Sequence, residues 1–156
     1  MRKSCSFHDF CGPGWPSADE LKKYFSAGGK LWASRDNDSW SLRGEGLYGT
    51  AILPQSDAVT VDLRMTGCPD HGVTLDFARW HGRIRRLHRY CSVGDLRRLG
   101  QFMYSLQGEP YSLGLFIPFE EAFKAVKEFI ESDGELPTSI EWISGEGFPP
   151  VRTGPA

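Results

Sequence analysis

The residues of this chain best suited to chemistry are its cysteines, its histidines and a run of arginines. Cys5, His8 and Cys11 are spaced C-x2-H-x2-C, Cys68 and His71 form C-x2-H, and His88 and Cys91 form H-x2-C. Zinc ligands come in such short pairs because two side chains from one turn can reach the same ion. Cys68, His71, His88 and Cys91 would make a Cys2His2 set, although His88 and Cys91 have opposite parity in an extended segment. The plainer reading of these side chains is buried thiols and surface imidazoles, so no metal or other cofactor is assigned. A Cys91 nucleophile served by His88 or His81 lacks any mark of an oxyanion hole or an orienting carboxylate.

Arg83, Arg85, Arg86 and Arg89, with Trp80 and Tyr90 close by, have the composition of an anion site, with aromatic faces for stacking. The competing reading is a solvated edge of snorkelling arginines. A formal net charge of −2 lacks the basic footprint of a nucleic-acid binder, so nucleic acid is not the expected partner. Nothing in the pattern points to a small-molecule substrate. Phosphate-binding loops, the G-x-S-x-G elbow, H-E-x-x-H and the zinc-deaminase pair are all absent from the sequence, and the expectation is a protein that is not an enzyme.

These residues must be held by a fold that 156 residues suit to one domain. Charge is divided along the chain. Arg79 to Arg98 holds seven arginines and one acid, whereas Glu109 to Glu146 holds nine acids against two lysines. The first residues carry no apolar core of a secretory signal, and no apolar run approaches the ~20 residues that span a bilayer, so a cytoplasmic protein with no membrane partner is expected.

Residues 1–16, rich in Gly, Pro and Cys, read as an irregular extension. Ser17 and Glu20 form a capping box for a helix of about three turns that carries Leu21, Tyr24 and Phe25 inward and ends at Gly28-Gly29. Leu31 to Arg35 reads as a strand, Asn37-Asp38 as a turn before Trp40 and Leu42, and Tyr48 to Leu53 as further β structure. Val59, Val61, Leu63 and Met65 alternate with polar residues. Val73, Leu75 and Phe77 do the same, which predicts an antiparallel hairpin. Arg83 to Cys91 has no clean apolar face and reads as an edge strand kept soluble by charge. Residues 92–106 fit either a helix capped by Ser92 or a strand through Phe102, Tyr104 and Leu106.

The late stretch IPFEEAFKAVKEFIESDGELPTSIEWI, Ile117 to Ile143, combines an amphipathic helix, a Gly134 stop, Pro137 and a short strand. The expected whole is α+β: a single domain over 17–144, a mostly antiparallel sheet packed by an N-terminal and a C-terminal helix, followed by a flexible Pro/Gly-rich tail over 145–156.

That late helix, its Pro-containing connector and the closing SIEW, preceded by the Gly108-Glu109 step, resemble the C-terminal signature of the immunity-protein family of bacterial polymorphic toxin systems. The family includes the inhibitor of the double-stranded-DNA cytidine deaminase toxin. The resemblance implies a protein that binds a cognate toxin domain, encoded by a neighbouring gene, and blocks its active site or substrate access. A toxin that acts on nucleic acid presents a basic cleft, so carboxylates are the expected contacts. The candidates are Glu120, Glu121, Glu128, Glu131, Asp133 and Glu135 on the late helix and its cap, with Asp36, Asp38 and Trp40 as a second surface.

Overall fold

Strict alternation of apolar and polar side chains dictates the centre of the molecule. A computed structural model describes residues 1–146, so the expected tail lies, from residue 147 on, outside the described residues. The strands are β1 (Arg2–Phe7), β2 (Phe10–Pro13), β3 (Ser39–Glu45), β4 (Val59–Cys68), β5 (Gly72–His81), β6 (Arg86–Ser92), β7 (Phe102–Tyr104), β8 (Pro110–Ser112), β9 (Phe116–Ile117) and β10 (Trp142–Ser144). Two α-helices, α1 (Ala18–Leu21) and α2 (Phe119–Glu131), and several single 3-10 turns join them. The result is mostly antiparallel sheet with few helices.

The predicted hairpin is β4 and β5, with Leu63 opposite Phe77 and Met65 opposite Leu75. The main sheet runs β10-β6-β5-β4-β3-β1-β2, and β9 also pairs with β5; β7 and β8 form a separate small hairpin. The far end of β5 is shared. β6 lies against residues 76–81, and β9 takes over at Val73 and Thr74. Ser92, fully buried, bridges the handover: its hydroxyl accepts from Leu75 N at 2.9 Å and donates to Leu115 O at 2.7 Å. A backbone donor that would lose its ladder partner is thereby satisfied. Gly72 sits in the same junction at φ +96°, where a Cβ would lie 2.1 Å from Ile117 O.

One face of the sheet is clothed by α2, whereas the other carries the β7–β8 hairpin over one end. Val61, Leu63, Leu75, Phe77 and Phe7 point into a core closed by Ala122, Ala125, Val126 and Phe129 of α2. Phe129 meets Phe77 edge-on at 6.2 Å and Trp15 at 5.0 Å, while Phe123 meets Phe25 at 5.5 Å. Pro118 is the N-cap of α2, Glu120 and Glu121 occupy its first turn, and Gly134 N donates back to Phe129 O at 2.9 Å. The helix starts and stops where its sequence demands.

Several expectations change. The extension over 1–16 is not irregular: β1 and β2 form a hairpin whose first strand pairs with β3. Its side chains alternate weakly, but Phe7 is fully buried and its backbone completes the sheet edge. The capping box at Ser17 and Glu20 is present, yet the helix runs only Ala18–Leu21 before tightening into the 3-10 turn Lys22–Phe25. Leu31 to Arg35 is not a strand, because Trp32 turns into the core and donates its indole N–H to Asp38 O. Residues 47–52 are 3-10 turns, forced by positive φ at Tyr48 and Gly49. β6 is not the sheet edge, since β10 pairs with Tyr90, Cys91 and Ser92; only its residues 86–89 have no strand on that side among the described residues. Residues 92–106 resolve into a 3-10 turn, Leu96–Arg98, and the strand β7.

Candidate partner-binding face

Whereas α2 covers one side of the sheet, the other side is open toward the β5–β6 turn, and strand register arranges its side chains in rows. At one end lie Arg2, Glu45, Thr60, Trp80 and Leu87, each the register partner of the next. The next row holds Ser4, Arg43, Asp62, Ala78 and Arg89, and the third Ser6, Ser41, Arg64, Asp76 and Cys91. Over the opposite end folds the β7–β8 hairpin, held down by Leu106 N donating to Asp38 Oδ2 at 3.1 Å and Gln107 Nε2 donating to Asp36 O at 2.6 Å. Between this flap and the sheet opens a cleft of about 510 Å³, lined by polar groups that include Ser41, Arg64, Gln107 and Tyr111.

The charged middle of the face is largely self-satisfied. Arg89 clasps Asp76 through Nε, 3.1 Å from both carboxylate oxygens, and through Nη2 at 2.6 Å. These hydrogen bonds raise the arginine's already high pKa. Arg89 also donates to Gly145 O at 3.2 Å, while its own carbonyl accepts from Gly145 N, so it ties the end of β10 to the sheet. Asp62 is the exception. Arg43 Nη1 approaches it at 3.7 Å, but Oδ1 has no hydrogen-bond partner among the described residues. Burial pushes its carboxyl up to about 6, an effect that Asp76 adds to and that Arg64 and Arg43 oppose.

The sequence-predicted carboxylates scatter. On the α2 side, Glu128 accepts from Thr138 N, Thr138 Oγ1 and Ser139 N at 2.8–3.0 Å, bonds that lower its pKa and fix the connector before β10. Asp133 pairs with Lys3, Glu135 with Arg79 and the Tyr48 hydroxyl, and Glu121 with Lys124. Glu120 and Glu131 are exposed with no ion pair among the described residues. The second predicted surface is not one: Asp38 and Trp40 are buried, Asp38 as the anchor of the flap and Trp40 as a core indole donating to Trp32 O. Asp36 stays exposed and lends only its carbonyl to the flap.

The four arginines divide too. Arg89 is structural, as described. Arg83, Arg85 and Arg86 stand exposed at the β5–β6 turn, without an ion pair among the described residues. The Cys/His set does not assemble. Cys68 and His71 sit at the β4–β5 turn, whereas Cys91 pairs with Asp76 and His88 with Arg79. At about 3.3 Å per residue those positions lie well over 10 Å along the sheet. Burial pushes the Cys91 thiol up to about 12, with the Asp76 carboxylate adding to it, which is the reverse of what a nucleophile needs.

Sequence reasoning placed Trp80 beside the arginine cluster but missed Leu87 and Ile84, which join it in an apolar end of this face. Trp15, Trp32, Trp40 and Trp142 each donate the indole N–H to a backbone carbonyl. Trp80 alone among the five points outward, 38 % exposed, its N–H without a partner among the described residues. Leu87 beside it is 54 % exposed, and Ile84 in the turn is 65 % exposed. The signal was present: Trp80 shares the parity of Asp76 and Ala78, the polar side of β5.

No curated protein and no solved structure matches the chain. A sequence profile of the family described as Immunity protein Imm1 matches residues 60–144, from the second residue of β4 to the last of β10. That span is more than half of the chain and contains the resemblance noted at its C-terminal end, and the chain belongs to the Imm1 immunity protein family.

Proposed function

We propose that this protein is an immunity protein that acts by binding: it captures a cognate bacterial toxin domain encoded by a neighbouring gene and blocks its active site or its access to substrate. Membership of the Imm1 family carries the reading. The toxin is proposed to be a deaminase or another enzyme that attacks nucleic acid, met in the cytoplasm where such substrates lie. Of the expected carboxylate contacts on α2 and its cap, Glu120 and Glu131 are the ones without an ion pair or hydrogen bond among the described residues, so the outward side of α2 offers little of a phosphate-like surface. The alternative, a small metal- or nucleic-acid-binding protein, loses its metal version to the separation of the Cys/His pairs and keeps only the arginine turn.

Co-expression tests the proposal. Cells producing the C-terminal domain of the toxin next door should die without this protein and grow with it, and the two chains should co-purify at a 1:1 ratio. Unrelieved toxicity with soluble protein present would reject the function.

A further inference from the structure

We infer that the toxin docks on the bare face of the sheet at its β5–β6 end, with Trp80 and Leu87 entering an apolar recess ringed by carboxylates on the toxin. The inference rests on the toxin-binding reading and adds the surface and the chemistry of the contact.

Four observations carry it. First, Trp80 and Leu87 are register partners, so their Cβ atoms lie about 5 Å apart and form one continuous apolar ridge on a face that is otherwise polar. Second, the indole that anchors this ridge is the one tryptophan whose N–H has no partner among the described residues, while the others all donate to the backbone. Exposed Trp beside Arg is the composition of an interface hot spot. Third, the carboxylates of this face are sunk: the side chains of Glu45, Asp62 and Asp76 are 19 %, 13 % and 12 % exposed. The cations are raised: Arg83 and Arg85, in the turn beside this end, are exposed, and no acid occurs between Asp76 and Asp95. The charge that this end shows a partner is therefore positive, and the complement is acidic. Fourth, Ile84 and Leu87 interleave with the arginines. Aliphatic side chains gain little against a phosphate backbone, which favours a protein over a nucleic acid as occupant.

A second reason for preferring this face over α2 is economy. Docking here requires no internal ion pair to break, because Arg83 and Arg85 have none among the described residues and the ridge is apolar. Docking on the acids of α2 and its cap would compete with Lys3, Arg79, Lys124 and the Thr138 connector for the same carboxylates.

The test titrates purified toxin C-terminal domain, inactivated in its own catalytic residue, into this protein and its variants by calorimetry. Trp80→Ala and Leu87→Glu should each weaken binding roughly 30-fold or more, as truncation of a hot-spot residue does. The double charge reversal Arg83→Glu/Arg85→Glu should weaken it and flatten its dependence on salt. Glu120→Lys/Glu131→Lys, on the opposite side of the molecule, should leave affinity within about threefold of the parent, as changes outside an interface do. Tight binding by both ridge variants, with loss confined to the α2 variant, would overturn the docking surface while leaving the function intact. Absence of binding by the parent protein would instead reject the function, and the surface with it. Retention of labelled duplex or single-stranded DNA by the parent, abolished in the double arginine variant, would replace the protein partner at this face by nucleic acid.

Discussion

Asp62 holds a carboxylate in a place that does not fully solvate or pair it. Its folded pKa of about 6 stands above the ordinary 3.8, so its contribution is favourable below the unfolded value and is lost as pH rises through the folded one. Stability should therefore decline between about pH 4 and pH 7 from this group. Asp62→Asn keeps an acceptor for Arg43 and removes the buried charge. It should raise stability by about 2 kcal/mol at pH 7 and by little at pH 4, measured by urea unfolding at both values. Equal effects at the two pH values would show that the charge is not the cause. The thiols give a second prediction at this scale. Cys11 is exposed, whereas Cys91 is buried with its pKa pushed up to about 12. An alkylating reagent at pH 7.5 should label Cys11 in the native protein and leave Cys91 untouched until denaturant is added, as peptide mapping would read out.

Elements were legible where one period dominated. Alternation over Val59–Met65 and Val73–Phe77 gave the hairpin with its inward set, and the Phe119–Ile130 stripe gave α2 with both of its ends. The β1–β2 hairpin was hidden because most of its residues are Ser, Cys, Gly and Pro, whose types suggest a loop while their backbone completes a sheet. Residues 31–35 failed for the opposite reason: Trp32 and Leu31 look like strand residues, but a single buried indole satisfied by Asp38 O sets the path of the chain. The candidate carboxylates show the same limit. Charge and helical spacing placed them outward, but not the long-range partners, such as Lys3 for Asp133 or Arg79 for Glu135, that use them up. The shared end of β5 was invisible for want of any local signal, and it offers a test. Gly72→Ala would drive a methyl into the Ile117 carbonyl at a φ of +96°. It should cost about 2–4 kcal/mol, through backbone strain and the loss of the β5–β9 pairing, seen as a lower midpoint in urea. Phe129→Ala, a cavity between sheet and α2, should cost about 3–5 kcal/mol in the same assay.

At the scale of the molecule, the family match begins at Thr60 and leaves β1–β3 and the segment around α1 outside it. Those outer strands nevertheless complete the sheet on the β4 side, pairing along seven residues from Ser39 to Glu45. The sheet clothed on one side and bare on the other separates two jobs that a small protein must otherwise perform with the same residues. Leu63, Phe77, Val126 and Phe129 hold the chain together from one side, while Thr60, Ala78, Trp80 and Leu87 face the solvent from the other. Substitutions at these four positions should therefore leave the melting temperature nearly unchanged, whereas Phe129→Ala should lower it. On the docking surface proposed above, a handful of outward side chains would re-specify the partner on a scaffold that need not be rebuilt.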